Sequence, residues 1–263
     1  MLIDTHCHLD APEFLSDREL VLGKARKAGV TALLIPAVGL ANFAVVRDCC
    51  VRYAECFPAY GFHPLFLAQR KPQDIAVLRA YLRHELSGTV PPLAVGEIGL
   101  DFYVPAFDAA HQEYFLLEQL KIAREFDLPV VLHVRKAIDL VLKLVRQIGV
   151  RKGIAHAFNG SPQQAEMFLN QGFKLGFGGA MTYPGSTRIR QLATHLPLEA
   201  IVLETDAPDI APIWKRGERN TPADLRPIAL TLAKLRGLDL PTILAASSAN
   251  ALAVLPALRN STA

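Results

Sequence analysis

Histidines and carboxylates that could bind a metal occur in short clusters along the chain. The first cluster is His6-Cys7-His8, near the start of the sequence. Residues two apart on an extended segment face the same way, so both imidazoles can bind one cation while Cys7 faces the core. Imidazole suits ions such as Zn or Ni, and a nearby carboxylate adds affinity for Mg or Mn. This spacing indicates a metal site.

The elements that must position these residues alternate regularly. Short apolar runs are followed by longer stretches with helical periodicity, and strands that alternate with helices pair in parallel. The predicted strands are residues 2–5, 32–36, 57–60, 93–95, 130–132, 153–155, 173–175 and 201–203. The predicted helices are residues 17–28, 42–54, 73–86, 107–126, 136–149, 161–171, 186–195, 223–236 and 241–253.

Eight strand–helix units in 263 residues predict a (β/α)8 TIM barrel of the α/β class, as a single domain over residues 1–263. The alternative is a doubly wound open sheet. That fold normally has a glycine-rich phosphate turn after its first strand, where this chain has His6-Cys7-His8.

Polar residues are concentrated where the predicted strands end, which is where barrel enzymes build their active sites. The residues at strand ends are His6, His8, His63, Glu97, His133, His156 and Asp206. These supply enough ligands for two cations, and a carboxylate such as that of Glu97 can bridge two ions about 3.5–4 Å apart. The three remaining histidines, His84, His111 and His195, fall in predicted helices and are expected at the surface.

The composition excludes several classes of protein. With 51% hydrophobic and 20% charged residues, the chain is not disordered, and its net charge of +3 is too small for a protein that grips duplex DNA along its length. No secretory signal is evident, and the uncharged stretch 240–258 is interrupted by proline and polar residues, which favours a buried helix over a membrane span. Four cysteines, two of them adjacent, indicate a reducing compartment. We expect a soluble cytoplasmic protein with no membrane association and no obligate protein partner.

The order and spacing of these motifs resemble the TatD family of metal-dependent hydrolases and deoxyribonucleases, especially its YjjV-type members. The resemblance covers essentially the whole chain. It rests on residues 4–10, 61–64, 96–101, 133–135, 156–160, 203–208 and 219–222. Leu65 and Phe102 depart from residues that are frequent in the family.

The resemblance implies a TIM barrel of the amidohydrolase type that holds two divalent cations, Mg, Mn or Zn. One ion would be bound by His6, His8, Glu97 and Asp206, and the other by Glu97, His133 and His156. Glu97 would stand in for the carboxylated lysine that bridges the metals in many related barrels. His63 would contact the substrate phosphate.

We therefore expect a metal-dependent phosphodiester hydrolase, a deoxyribonuclease that acts as a 3′–5′ exonuclease on single-stranded DNA ends. The expected catalytic residues are Asp206, Glu97 and His63, with Asp206 orienting or deprotonating the attacking water. His63 and Arg135 are expected to bind the substrate phosphate, because a guanidinium matches phosphate oxygens bidentately. Asp101 is expected behind a metal-binding histidine.

Other readings of the sequence stay open. The same metal site could hydrolyse a small C–N or ester substrate, as amidohydrolases do, or could bind metal without turnover. Asp4 and Glu204 are candidates for supports below the ligands. The aromatic candidates for base stacking are Phe62, Phe102, Tyr103, Phe158, Tyr183 and Trp214, of which Trp214 lies in a cationic loop that ends at Arg219.

Overall fold

Eight parallel strands form a nearly closed barrel in the computed structural model, which describes residues 1–105 and 107–261. Each strand pairs in parallel with the next along the chain, as a strand–helix alternation requires. The strands are β1 (Ile3–Asp4), β2 (Ala32–Pro36), β3 (Cys56–Tyr60), β4 (Ala94–Asp101), β5 (Val130–Arg135), β6 (Gly153–Ala155), β7 (Phe173–Phe177) and β8 (Ile201–Leu203). The predicted fold class is confirmed.

Helices follow the strands and cover the outside of the barrel. They are α1 (Arg18–Ala28), α2 (Leu40–Arg52), α3 (Asp74–Glu85), α4 (Ala109–Glu125), α5 (Ile138–Ile148), α6 (Pro162–Asn170), α7 (Thr187–His195), α8 (Leu225–Arg236) and α9 (Leu240–Val254). The sequence stretch 240–258 thus contains the helix α9 that its proline and polar residues favoured. No helix within residues 1–105 and 107–261 is long and apolar enough to span a membrane.

The barrel closes between β1 and β8 just beyond their short ladders. The amide of Thr5 donates to the carbonyl of Leu203 at 3.1 Å, and the amide of Asp206 donates to the carbonyl of His6 at 2.8 Å. The amide of His8 then donates to the carbonyl of Ala207 at 2.8 Å. These bonds bring the first histidine cluster against the last carboxylate cluster, although some 200 residues separate them in sequence.

The other end of the barrel is apolar. Strand residues such as Ile3, Val131 and Val202 form one buried cluster with Val254 and Leu255 from the end of α9. The last helix therefore seals the end where the strands begin. Polar side chains are left to the opposite end, where the strands finish.

Strands β4 and β5 extend furthest beyond their predicted bounds, although β3 and β7 are also longer than predicted. The predicted strands 93–95 and 130–132 end before the first glycine or polar residue, whereas β4 continues to Asp101 and β5 to Arg135. Glu97 and His133 therefore lie within strands rather than after them. The register of β4 on β5 shifts between Val95 and Ile98, and such a bulge redirects side chains locally.

Glycines let β4 and β5 approach each other closely. A Cβ on Gly96 would come within 2.7 Å of the Cβ of Val131. Gly99 has φ +154° and lies so close to the carbonyl of His133 that no side chain would fit. The glycines that looked like strand breakers in the sequence are thus what allows the long strand pair.

Candidate metal centre

Glu97 lies at the centre of the polar end of the barrel, and its two carboxylate oxygens face different histidines. Oε2 lies 3.1 Å from Nε2 of His6 and 3.7 Å from Nε2 of His8. Oε1 lies 3.0 Å from Nδ1 of His133 and 3.0 Å from Nε2 of His156. One buried carboxylate is therefore shared by two pairs of imidazoles.

Asp206 completes the group around the first pair. Its Oδ1 lies 3.5 Å from Nε2 of His6 and 3.7 Å from Nε2 of His8. Asp206 has φ +57°, a left-handed conformation that the short polar side chain of aspartate tolerates. The side-chain amide of Asn220 holds this loop by donating to the carbonyls of Thr205 at 2.7 Å and Asp209 at 2.9 Å.

The charges of the cluster depend on one another. Burial alone would raise the pKa of Glu97, but the imidazoles of His63, His156 and His6 hold that pKa well below its usual value. Burial by itself would lower the pKa of His156, but the carboxylate of Glu97 outweighs the effect of burial and holds that pKa well above its usual value. Protons on imidazole thus balance the buried carboxylate, and metal binding would displace them.

The donor set fits a divalent metal. The Nε2 atoms of His6 and His8 face each other at 3.2 Å, a contact that needs a proton or a cation to offset the repulsion of their lone pairs. Three overlapping groups of side chains place their ligand atoms within 4.8 Å of one another. They are His6 with His8 and Glu97, His6 with His156 and Asp206, and His63 with Glu97 and His133.

His63 differs from the other histidines in its hydrogen bonding. Its Nδ1 accepts the backbone N–H of Leu65 at 3.1 Å, so in the neutral imidazole the proton is on Nε2. Nε2 lies 3.4 Å from Oε1 of Glu97 and faces the site. A protonated Nε2 has no lone pair for a metal, so this ring is arranged to donate a hydrogen bond into the site.

A second layer of carboxylates supports the histidines, as expected for Asp101, Asp4 and Glu204. Oδ2 of Asp101 lies 3.0 Å from Nε2 of His133, the ring nitrogen remote from Glu97. Oε1 of Glu204 lies 3.7 Å from Nδ1 of His156. The hydrogen bond to Asp101 fixes the orientation of the His133 ring and raises its basicity, whereas Glu204 is too far from His156 for a hydrogen bond and acts on it only through its charge.

Asp4 supports the same end of the barrel through backbone and hydroxyl contacts. Its carboxylate accepts the hydroxyl of Thr205 at 2.6 Å and the backbone N–H groups of Thr205 at 3.0 Å and His6 at 3.2 Å. These bonds fix the residues next to Asp206 and at the first ligand position. Cys7, between the two histidines, is fully buried, and its Sγ lies 3.9 Å from the carbonyl of Ala207.

Comparison with known proteins decides the family. A family profile described as "TatD related DNase" matches residues 3–256. This chain belongs to the TatD family.

Several members of the TatD family are similar over nearly the whole chain. The Escherichia coli K12 protein named "Uncharacterized metal-dependent hydrolase YjjV" is 40% identical over 235 residues, covering 89% of this chain and 90% of that one. The human protein named "Deoxyribonuclease TATDN3" is 32% identical and covers 98% of this chain and 96% of its own. The crystal structure of the Escherichia coli K12 YjjV, described as a TatD homologue, has a TM-score of 0.92 at 36% identity, with 97% of this chain and 98% of that chain covered. The chain is thus a metal-dependent hydrolase of the TatD family.

A cavity of about 1440 Å³ opens above the cluster in this TatD-family barrel. His8, His63, Glu97 and Asp206 line its floor, and Arg135 lines its wall. The sequence-predicted site residues are thus brought together around one cavity. The set is His6, His8, His63, Glu97, His133, Arg135, His156 and Asp206.

Two glutamines of α4 that the sequence reading missed hold the strand ends in place. The side chain of Gln119 accepts the N–H of Phe62 at 2.6 Å and donates to its carbonyl at 3.2 Å. Gln112 makes the same pair of bonds to the backbone of Asp101, at 2.8 and 3.1 Å. Both glutamines are buried, and their spacing of seven residues places them on one face of the helix. Buried glutamines on an apolar helical face are the signal that could have revealed them.

The loop after β8, where Trp214 is a candidate for base stacking, is tied to the rest of the barrel by side-chain contacts. Nε1 of Trp214 donates to Asp224 at 2.9 Å, and Nζ of Lys215 donates to the same carboxylate at 2.5 Å. Arg219 forms a salt bridge with Asp17 at 2.6 Å and so ties this loop to the loop after β1. Lys215 and Arg219 are thus paired with carboxylates, whereas Arg216 is exposed.

The aromatic residues that the sequence offers for base stacking differ in how exposed their side chains are. Phe62 and Phe158 are buried in the core and cannot stack on a substrate. Tyr183 is partly buried and donates its hydroxyl to the carbonyl of Ala211 at 2.9 Å. Tyr103 is exposed and lines the cavity.

Among the three predicted surface histidines, His111 is only partly exposed, because its ring lies 3.1 Å from the carbonyl of Leu67.

Proposed function

We propose that this chain is a phosphodiesterase that hydrolyses single-stranded DNA from its ends with two divalent cations. The observation that supports this most is the division of Glu97 between His6 and His8 on one oxygen and His133 and His156 on the other. A carboxylate so placed suits two ions about 3.5–4 Å apart, the arrangement of phosphodiester-cleaving two-metal sites. The names of deoxyribonucleases among the relatives favour DNA as the substrate.

Each side chain has a distinct role in this proposal. His6, His8, Glu97 and Asp206 hold one cation, and Glu97, His133 and His156 hold the other. The cations, when bound, would lower the pKa of a water molecule and polarise the phosphoryl oxygen.

Asp206 orients the attacking water and takes its proton. Burial raises the pKa of Asp206 to about 6 when no metal is bound, so its carboxylate is ionised at neutral pH and can accept a proton. His63 donates Nε2–H to an oxygen of the scissile phosphate, and Arg135 binds the substrate backbone from the cavity wall.

The test is hydrolysis by protein that has been freed of metal and reconstituted with Mg, Mn or Zn. End-labelled single-stranded oligonucleotides are compared with a lactone and a cyclic amide. Release of terminal nucleotides supports the proposal. Turnover of the lactone or the amide without cleavage of DNA would replace it with an amidohydrolase-type activity, and inactivity on all three would favour metal binding alone.

The role of Asp206 is tested by Asp206→Asn, with Asp209→Asn as the matched control. Asp209 is an exposed carboxylate on the same loop and lines the same cavity. General-base catalysis contributes about 10²–10⁴-fold, so we expect at least a 100-fold fall in kcat for Asp206→Asn. Full activity in Asp206→Asn would show that the assigned role is wrong.

A further inference from the structure

We propose that Tyr103, Arg135 and Lys136 form a second phosphate subsite, which binds the phosphate next to the scissile one on a single strand. The proposal rests on the proposed function, because it names where that substrate continues beyond the metal centre. All three side chains are exposed and line the cavity above the centre.

The two cations lie against one aromatic ring. The guanidinium carbon of Arg135 is 3.7 Å from the centroid of the Tyr103 ring, and Nζ of Lys136 is 4.7 Å from it. Both positive charges therefore lie beside one ring that lines the cavity, and a phosphate bound there would be stabilised by both. A stacked guanidinium keeps its N–H edges free, in the geometry that binds phosphate oxygens bidentately.

Neither cation forms an ion pair or donates a side-chain hydrogen bond among the residues that the structure describes, although Arg135 lies near enough to Asp101 to help lower the pKa of that carboxyl. Arg18, which also lines the cavity, differs in this respect. Its side chain donates to the carbonyl of Leu9 at 2.7 Å and to that of Asp10 at 2.8 Å. Arg135 and Lys136 are thus cations whose charge stays available to a ligand.

The backbone places Tyr103, Arg135 and Lys136 just beyond the metal centre, further towards the open end of the barrel. Arg135 follows His133 by two residues on β5, about 6.6 Å further along the strand and on the same face. Asp101, which pairs with Arg135 in register, contacts His133 with one oxygen and accepts the N–H of Tyr103 at 2.9 Å with the other. The subsite and the metal centre therefore share one rigid support.

Lys136 is held in an unfavourable backbone conformation. Its φ is +56°, in the left-handed region that few non-glycine residues adopt. Such conformations cost free energy and are concentrated at ligand-binding sites. The strained turn fixes Lys136 against the ring of Tyr103 at the exit from β5.

The test measures binding separately from cleavage. A fluorescent single-stranded oligothymidylate with phosphorothioate linkages keeps its negative charges and resists hydrolysis, and its affinity is measured by anisotropy across a series of salt concentrations. Each phosphate contact that is lost should lower the slope of log Kd against log salt by about 0.7. The variant is Lys136→Gln, and the control is Lys152→Gln, an exposed lysine that precedes β6 at the opposite end of the barrel.

We expect Lys136→Gln to weaken binding about 3–10-fold and to lower the salt slope by about 0.7, and Lys152→Gln to do neither. Tyr103→Leu keeps both charges, so it should weaken binding without lowering the slope. An unchanged slope in Lys136→Gln, or no binding of the strand by the wild-type protein, would overturn the subsite.

Cleavage assays separate this proposal from the proposed function. If Lys136→Gln lowers the salt slope but the wild-type protein cleaves no DNA, the subsite stands and the proposed activity fails. If the wild-type protein cleaves DNA and Lys136→Gln binds with the wild-type slope, the activity stands and the subsite fails.

Discussion

At the scale of single residues, the centre depends on which nitrogen of each histidine faces Glu97. His6, His8 and His156 present Nε2 to a carboxylate oxygen, and His133 presents Nδ1. His63 also presents Nε2, but its Nδ1 is already an acceptor for a backbone N–H. The chemical difference between a ligand and a hydrogen-bond donor therefore comes from one backbone contact.

This difference predicts the behaviour of His63→Asn. In the proposed function Nε2–H of His63 is a donor and not a ligand, so the variant should keep the metal content of the wild-type protein while kcat falls about 100-fold, the cost of losing one donor to developing charge. Metal content is measured by elemental analysis of the purified protein, and kcat by oligonucleotide cleavage.

His156→Asn is the matched comparison for His63→Asn. His156 contacts the same oxygen of Glu97, but through a nitrogen free to bind a metal, so this variant should lose metal. A similar loss of metal in His63→Asn would show that His63 is a ligand after all.

At the scale of the elements, α4 acts as a brace for the strands that carry the site. Gln119 makes two hydrogen bonds to the backbone of Phe62, the residue before His63. Gln112 does the same for Asp101, the last residue of β4. Backbone groups just past a strand lack ladder partners, and buried groups left without a partner are costly. The helix thus satisfies the chain at the positions where it leaves the barrel.

We expect Gln119→Met to lower the free energy of unfolding by about 1–3 kcal/mol, because it leaves the buried N–H and C=O of Phe62 without partners. The change is measured by urea denaturation. Gln147→Met, at an exposed position of α5, is the control and should leave stability nearly unchanged. Equal stability of the two variants would contradict the brace.

At the scale of the whole molecule, the two ends of the barrel differ: one is an apolar core that stabilises the fold, and the other holds the candidate metal centre. Apolar side chains and the end of α9 fill one end, while the buried charges are collected at the other. Collecting several ionisable groups in a buried site is unfavourable unless opposite charges or a cation neutralise them. A bound metal should therefore stabilise the fold as well as supply the chemistry.

Removal of metal with a chelator should lower Tm by about 5–10 °C, the equivalent of about 2.7 kcal/mol for a ligand present at 100 times its Kd. Thermal unfolding is followed by fluorescence before chelation, after it, and after addition of Mn or Zn. Chelation should lower the Tm of Glu97→Gln much less, because this variant lacks the shared carboxylate charge. A Tm that does not change on chelation of the wild-type protein would contradict a metal bound at this centre.

The sequence by itself determined the order of the elements and the residue types available for the site. The alternation of apolar runs with helical periodicity was enough for the eight-stranded barrel, because that pattern depends on local spacing. The residues gathered around Glu97 were also predicted, since the barrel brings all strand ends to one rim. Local spacing predicted the wrong ends for β4 and β5, because the predicted strands stopped before Gly96 and before His133.

Only the tertiary structure decided how these residues face one another. The position of Arg135 and Lys136 against the ring of Tyr103 and the bonds from Gln119 to Phe62 depend on contacts between segments far apart in sequence. The cationic loop from Trp214 to Arg219 is the clearest case. Its composition suggested an aromatic ring and cations available to a substrate, but Trp214, Lys215 and Arg219 meet carboxylates that only folding brings within reach. Residue spacing carries information about one element at a time, whereas hydrogen bonds and ion pairs depend on distances that the packing of all the elements sets.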